Sequence, residues 1–178
     1  MTAQELFERG DDGRRFELVC GELHEVSLAS PRGSEVAALI AWWLLSFVRP
    51  RHLGKVYGSD AGFVLRRDPD VVRTPDVAFV QAERLPPRAE RDFFLELAPD
   101  LAVEVVSPSD RLGDVNDRVF EYLDAGVRMV WVIEPRARRA TVHRGDRTAR
   151  TLGIGDELDG EDVLFGLRLP LAELFAEP

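Results

Sequence analysis

The segment Leu101-Ala-Val-Glu-Val-Val106 constrains this chain more than any other. It is a near-continuous apolar run rather than an alternating one, which is the character of a central strand covered on both faces. Ser107-Pro-Ser-Asp110 follows, and then a helical pattern from about Leu112 to Ala125 that Gly126 is placed to close. Arg128 to Glu134 reads as the next strand. The order is a β-α-β unit, whose crossover is right-handed. The chain is therefore expected to be α/β, with a mixed central sheet flanked by helices.

The flanking segments fit that frame. A short acidic helix is expected from Thr2 to Arg9, with Thr2 and Glu5 at capping-box spacing. Phe16 to Val26 holds two apolar stretches hinged at Gly21, a hairpin pattern. Glu35 to Val48 predicts a helix that stops before Pro50 and, being apolar nearly all round, is buried on most faces. Lys55 to Leu65 and Asp76 to Val80 read as strands separated by a polar turn at Arg66 to Thr74. Arg139 to Arg144 and Arg147 to Leu152 form a second hairpin around Gly145-Asp146, and the apolar tail Leu164 to Phe175 packs back on the core. The length, 178 residues without a visible repeat or linker, suits one domain spanning residues 1–178.

Charge and cysteine content exclude several functions. The 23 basic residues against 32 acidic ones give a net charge of −9, which argues against a general nucleic-acid coat. A small basic patch or a metal-bridged contact stays compatible with it. Cys20 is the single cysteine, so neither an intrachain disulfide nor a cysteine zinc site can form. The run Val36 to Val48 is too short to span a bilayer, and Met-Thr-Ala-Gln-Glu does not begin a signal peptide. A soluble cytoplasmic protein is expected. All basic residues but Lys55 are arginine, so a mechanism that needs a lysine must use Lys55 or do without.

Three residues carry chemistry. Glu104 lies among apolar neighbours, where an ionised carboxylate needs a cation, a strong donor or a proton. It is either half of a buried ion pair or a metal ligand or catalytic carboxylate, and perturbed buried acids favour the second reading. Asp76, after Thr74-Pro75, is weak evidence alone. Paired with Glu104 on a neighbouring strand, it could share a divalent cation with a phosphate oxygen and a water. Arg118 falls on the helix one turn before Tyr122, beside the stripe Leu112, Val115, Val119 and Leu123. It either leans over the sheet near Glu104 or is an exposed partner of Asp114 or Glu121.

The remaining signals are weaker. Arg136, Arg138, Arg139, Arg144, Arg147 and Arg150 could track a DNA backbone, or could serve only to discourage strand-edge pairing. Trp42, Trp43 and Phe47 belong to a core or a dimer contact rather than to a base-stacking platform. Trp42 and Trp43 point about 100° apart on a helix, so one small sheet does not cover both and a homodimer is expected. Ser107 and Ser109 read as helix caps, and His24, His52 and His143 lack metal-ligand spacing.

Phe16-Glu-Leu-Val-Cys-Gly-Glu22, Thr74-Pro-Asp-Val-Ala-Phe-Val80, Pro99-Asp-Leu-Ala-Val-Glu-Val-Val-Ser-Pro-Ser109, Glu121-Tyr-Leu-Asp-Ala-Gly126 and Val130-Trp-Val-Ile-Glu-Pro135 together resemble the Uma-two family. That family belongs to the PD-(D/E)XK nuclease superfamily. The resemblance implies a restriction-endonuclease-like fold and a Mg²⁺- or Mn²⁺-dependent endonuclease acting on nucleic acid, with DNA the expected substrate. It implies Asp76 and Glu104 as the metal-binding acidic pair. The superfamily's lysine, two residues after the second acid, is replaced by Val106; its displaced position on the following helix is held here by Arg118. Glu35 corresponds loosely to an extra acid of many superfamily members. Arginine does not act as a base, so a nuclease-like fold that no longer cuts and serves as a binding or interaction module is the alternative.

Overall fold

The computed structural model describes residues 1–10, 13–27 and 29–177. In chain order the elements that frame the site are α1 (Ala3–Glu8), β1 (Arg15–Val19), β2 (Glu22–Val26), α2 (Pro31–Val48), β3 (Gly54–Gly58), β4 (Phe63–Arg66), β5 (Val71–Arg73), β6 (Val77–Gln81) and β7 (Leu101–Val105). They continue with α3 (Leu112–Asp124), β8 (Met129–Glu134), β9 (Arg139–Arg144), β10 (Ala149–Leu152), β11 (Glu157–Asp159), β12 (Arg168–Pro170) and α4 (Leu171–Leu174).

A six-stranded sheet in the order β10-β9-β8-β7-β6-β3 forms the centre. Its one parallel pair is β7 with β8, Leu101 opposite Met129 through Val105 opposite Ile133, and α3 makes the crossover. The other pairs are antiparallel, so the sheet is mixed as expected. Every residue of β7 is buried. Leu101, Val103 and Val105 pack with Met129, Trp131 and Ile133 against Val36, Ile40, Leu44 and Val48 of α2. Ala102 instead packs with Val130, Val132 and the α3 residues Val115, Val119 and Tyr122. Strand alternation thus sends Glu104, two residues after Ala102, to the α3 face.

A second sheet, β2-β1-β5-β4, stands beside the first. The Thr2–Glu5 capping box is present, and the hairpin turn falls at Cys20 and Gly21, with φ of 52° and 78°. Three expectations need correction. Lys55 to Leu65 is not one strand but β3 and β4, in different sheets, and the stretch read as a polar turn contains β5. The second helix starts at Pro31, capped by Ser30, rather than at Glu35. It is also buried on a single stripe, because the sheet covers one side only, and Trp42 stays 59% and Leu45 46% exposed. The tail does pack back: Leu167, Leu169, Leu171 and Leu174 join the α2 face, helped by an unforeseen two-stranded sheet of β11 and β12. No helix among the described residues is long and apolar enough to cross a membrane.

Candidate active site

The antiparallel register of β6 and β7 sets Val77 opposite Val103 and Ala78 opposite Ala102. Continued by one residue, it sets Asp76 opposite Glu104 on the α3 face, where cross-strand side chains are neighbours. The ladder stops there because Pro75, next in line opposite Val105, has no N–H to give. Asp76 Oδ2 takes over, accepting the Val105 N–H at 2.7 Å. Both carboxylates line a cavity of about 590 Å³ between the β1–β2 hairpin and α3. They sit at the ends of two interior strands, not on an edge strand.

Glu104 is 7% exposed. Its Oε1 accepts the Tyr122 hydroxyl at 2.8 Å, and its Oε2 lies 3.5 Å from Arg118 Nε. Burial pushes the carboxyl up to about 8; Arg118 and the Tyr122 bond oppose the rise, while the negative charges of Asp76 and Glu17 add to it. Burial also raises Asp76, partly offset by its Val105 bond and by Arg118. Burial thus disfavours charge on both carboxyl groups. Tyr122 is raised well above its ordinary value, by burial first and then by Glu104, so it remains a proton donor to that carboxylate.

Arg118 lies between Glu104 and Asp110, its Nη2 3.5 Å from Asp110 Oδ1. Burial disfavours its charge, but Glu104 and Asp110 outweigh that and raise its pKa. It is a fixed cation. Its Nε is buried without a hydrogen-bond acceptor among the described residues. Of the two arrangements open to it in the sequence, the one over the sheet is observed, and Glu121 pairs with Arg73 instead.

Glu35 is not brought to this cavity. It is exposed and lines a separate one with Arg136 and Arg138, because α2 packs on the opposite face of the sheet from Glu104. Ser107 and Ser109 do not cap α3, whose preceding residue is Arg111; the Ser107 N–H bonds Asp110 Oδ2 and both serines line the cavity. In the second hairpin Arg139, Arg144 and Arg147 pair with Glu134, Glu161 and Asp124, and Arg138 donates to the Phe175 carbonyl, so much of that basic charge is neutralised locally.

The sequence alone assigns no site role to Glu17, Arg73 or Asp110, and offers Glu121 only as a partner for an exposed Arg118. Glu17 is 4% exposed and Arg73 7%, and their side chains are joined at 2.7 Å. Glu17 carries the same signal as Glu104, an acid among apolar strand residues; Arg73 could be found only through its partners.

No group of three or more His, Cys, Asp or Glu side chains arranged to hold a metal ion occurs among the described residues. The available donor set is the two carboxylates, with Glu104 Oε2 held only by the long 3.5 Å contact. Hard oxygen donors of this kind suit a small divalent cation that keeps several waters.

Comparison with solved structures places this fold beside "a putative nuclease belonging to DUF820" from Anabaena variabilis ATCC 29413. The two superpose with a TM-score of 0.86 at 18% identity, over 98% of this chain and 97% of that one, a likeness of fold. No curated protein matches the chain. Residues 3–172 match the profile of the Uma2 (Uma-two) family, described as "Putative restriction endonuclease", and with that match spanning nearly the whole sequence the chain belongs to this nuclease-like family.

Proposed function

We propose that the chain is a single restriction-endonuclease-like domain that hydrolyses phosphodiester bonds of nucleic acid, DNA in the first instance, in the cytoplasm and with Mg²⁺ or Mn²⁺. The carrying observation is the juxtaposition of buried Glu104 and half-buried Asp76, which line one cavity beside a cation that cannot lose its proton. The donor set fits a divalent cation, since a bound cation would offset the burial that raises both carboxyl groups and would favour their charged form. A bound cation supplies Lewis acidity toward water and phosphate. The chain's own groups do the rest. The Val105 N–H fixes Asp76, Tyr122 fixes Glu104, and Arg118 holds a fixed positive charge beside them as negative charge builds on the phosphoryl group.

The second reading, a fold that binds without cutting, draws support from Arg118 itself and from a cavity lined by nine carboxylates and three arginines. Incubation with plasmid, single-stranded DNA and RNA at millimolar Mg²⁺ or Mn²⁺ separates the two. Cleavage abolished by chelation is expected. Metal binding without cleavage of any substrate leaves the binding module.

The exposed apolar face of α2 supports a homodimer. Trp42 and Trp43 meet edge to face at 5.5 Å, and Leu39 and Leu45 extend the patch. Sedimentation at micromolar concentration is expected to give a dimer that Trp42→Glu converts to monomer. A monomeric parent protein contradicts this.

A further inference from the structure

We infer that Glu17 is a positioning residue for the Asp76–Glu104 pair and not a third ligand; its consequence for cleavage rests on the nuclease reading above, while its effect on Asp76 does not.

Glu17 lies in the middle of β1, which reaches β5 through Leu18 opposite Val72. It borders the same cavity as Asp76 and Glu104, yet its carboxylate is already committed. Oε1 accepts both the Thr74 N–H at 2.7 Å and the Thr74 hydroxyl at 3.0 Å, and Oε2 accepts Arg73 Nη1 at 2.7 Å. Three of roughly four lone-pair positions on a carboxylate are thereby filled. Turning Glu17 toward a cation would strip a buried guanidinium of one of its two carboxylates, an arrangement that folded proteins avoid.

The bonds run outward from Glu17 in two directions. Thr74 is joined to Asp76 through Pro75, whose ring fixes one of the few torsions between them. Clamping Thr74 at both its N–H and its hydroxyl therefore limits where Asp76 can place its carboxylate. On the other side, Arg73 Nε donates to Glu121 Oε2 at 2.6 Å, and its Nη2 makes an ion-pair contact with the same oxygen at 2.6 Å. Glu121 follows Arg118 by three residues on α3 and is adjacent to Tyr122, the donor to Glu104. One chain of contacts, Thr74–Glu17–Arg73–Glu121, buried at its centre, thus ties the turn carrying Asp76 to the helix carrying Arg118 and Tyr122. The distance between the acidic pair and its cation is set by elements that β1 holds together.

The Val105 amide reports this directly, because its hydrogen bond ends on Asp76 Oδ2. In Glu17→Gln the amide keeps an acceptor for Thr74 but turns its NH2 toward Arg73, or the reverse. Hydrogen exchange at the Val105 amide is expected to accelerate about 10-fold or more while Val103, deeper in β7, keeps its protection. Mn²⁺ affinity is expected to fall by about 10- to 100-fold without vanishing, and kcat for cleavage to fall with little change in KM. Thr74→Val, which removes only the hydroxyl, should give the same pattern more weakly and carries the test should Glu17→Gln fail to fold. Loss of all Mn²⁺ binding in Glu17→Gln, equal to that in Glu104→Gln, makes Glu17 a ligand and overturns the inference. An unchanged Val105 amide, or faster exchange throughout the sheet, also overturns it. If the parent protein cuts no nucleic acid, the nuclease reading fails while the exchange measurement still decides the role of Glu17.

Discussion

Glu104→Gln is expected to lower metal-dependent cleavage by roughly 10³-fold and, at the same time, to make the metal-free protein more stable at pH 8. The first effect follows from losing one of the two carboxylates available to a cation. The second follows from the cost of burying Glu104. Its carboxyl titrates near 8 in the fold, against 4.5 for an unperturbed glutamate. Below 4.5 folded and unfolded chains are both protonated and the residue favours neither. Between 4.5 and 8 the folded chain holds a proton that the unfolded chain has released, so stability falls as pH rises, by an amount on the order of a few kcal/mol. Above 8 the full penalty stands. Glutamine carries no such penalty and its carbonyl still accepts the Tyr122 hydroxyl. The variant should therefore melt roughly 5 °C or more above the parent at pH 8, with the gain shrinking toward pH 4.5. Melting curves across that range check it. A variant that melts lower at pH 8, or that cleaves within tenfold of the parent, contradicts the assignment.

Arg118→Ala should lower kcat by roughly 10- to 100-fold, while Arg118→Lys should keep or raise it. The guanidinium is raised by Glu104 and Asp110 against the pull of burial, so it never supplies a base and its role is confined to charge and direction. A lysine beside the same two acids keeps the charge and adds a group able to release a proton. The rate–pH profile distinguishes the two: the lysine variant should gain a further ascending limb beyond the one that loss of the Glu104 proton gives the parent. Cleavage by Arg118→Ala equal to the parent reduces Arg118 to a structural partner of Glu104 and Asp110.

The parts of this site that were legible in the sequence are those in which one residue contradicts its neighbours. Glu104 stands out because a strand buried on both faces has no place for an unpaired acid. Helix phase set Arg118 beside the side of α3 that meets the sheet, marked by Val115, Val119 and Tyr122, but left it either over Glu104 or exposed. Asp76 gained its meaning only from a strand register that pairs it with Glu104. What stayed hidden depended on contacts across the chain. β5 looked like a polar turn because Arg73 is buried only by virtue of Glu17 and Glu121, 56 and 48 residues away. Glu35 entered only through the family resemblance, and the periodicity of α2 could not test it, because it tells which side of the helix is apolar but not which face of the sheet it covers. The same periodicity read α2 as buried on most faces, and only the divergence of Trp42 and Trp43 signalled that one sheet would leave part of it, Trp42, uncovered.

We propose that Asp76 and Glu104 together hold a divalent cation. Calorimetric titration of Mn²⁺ into the protein at pH 7, repeated in buffers of different ionisation enthalpy, tests it most directly. The account predicts saturable binding at one site per chain, with net proton release as the cation displaces the proton of Glu104. It further predicts that Glu104→Gln and Asp76→Asn each remove the binding. No binding at millimolar Mn²⁺, or binding that survives both substitutions, contradicts it.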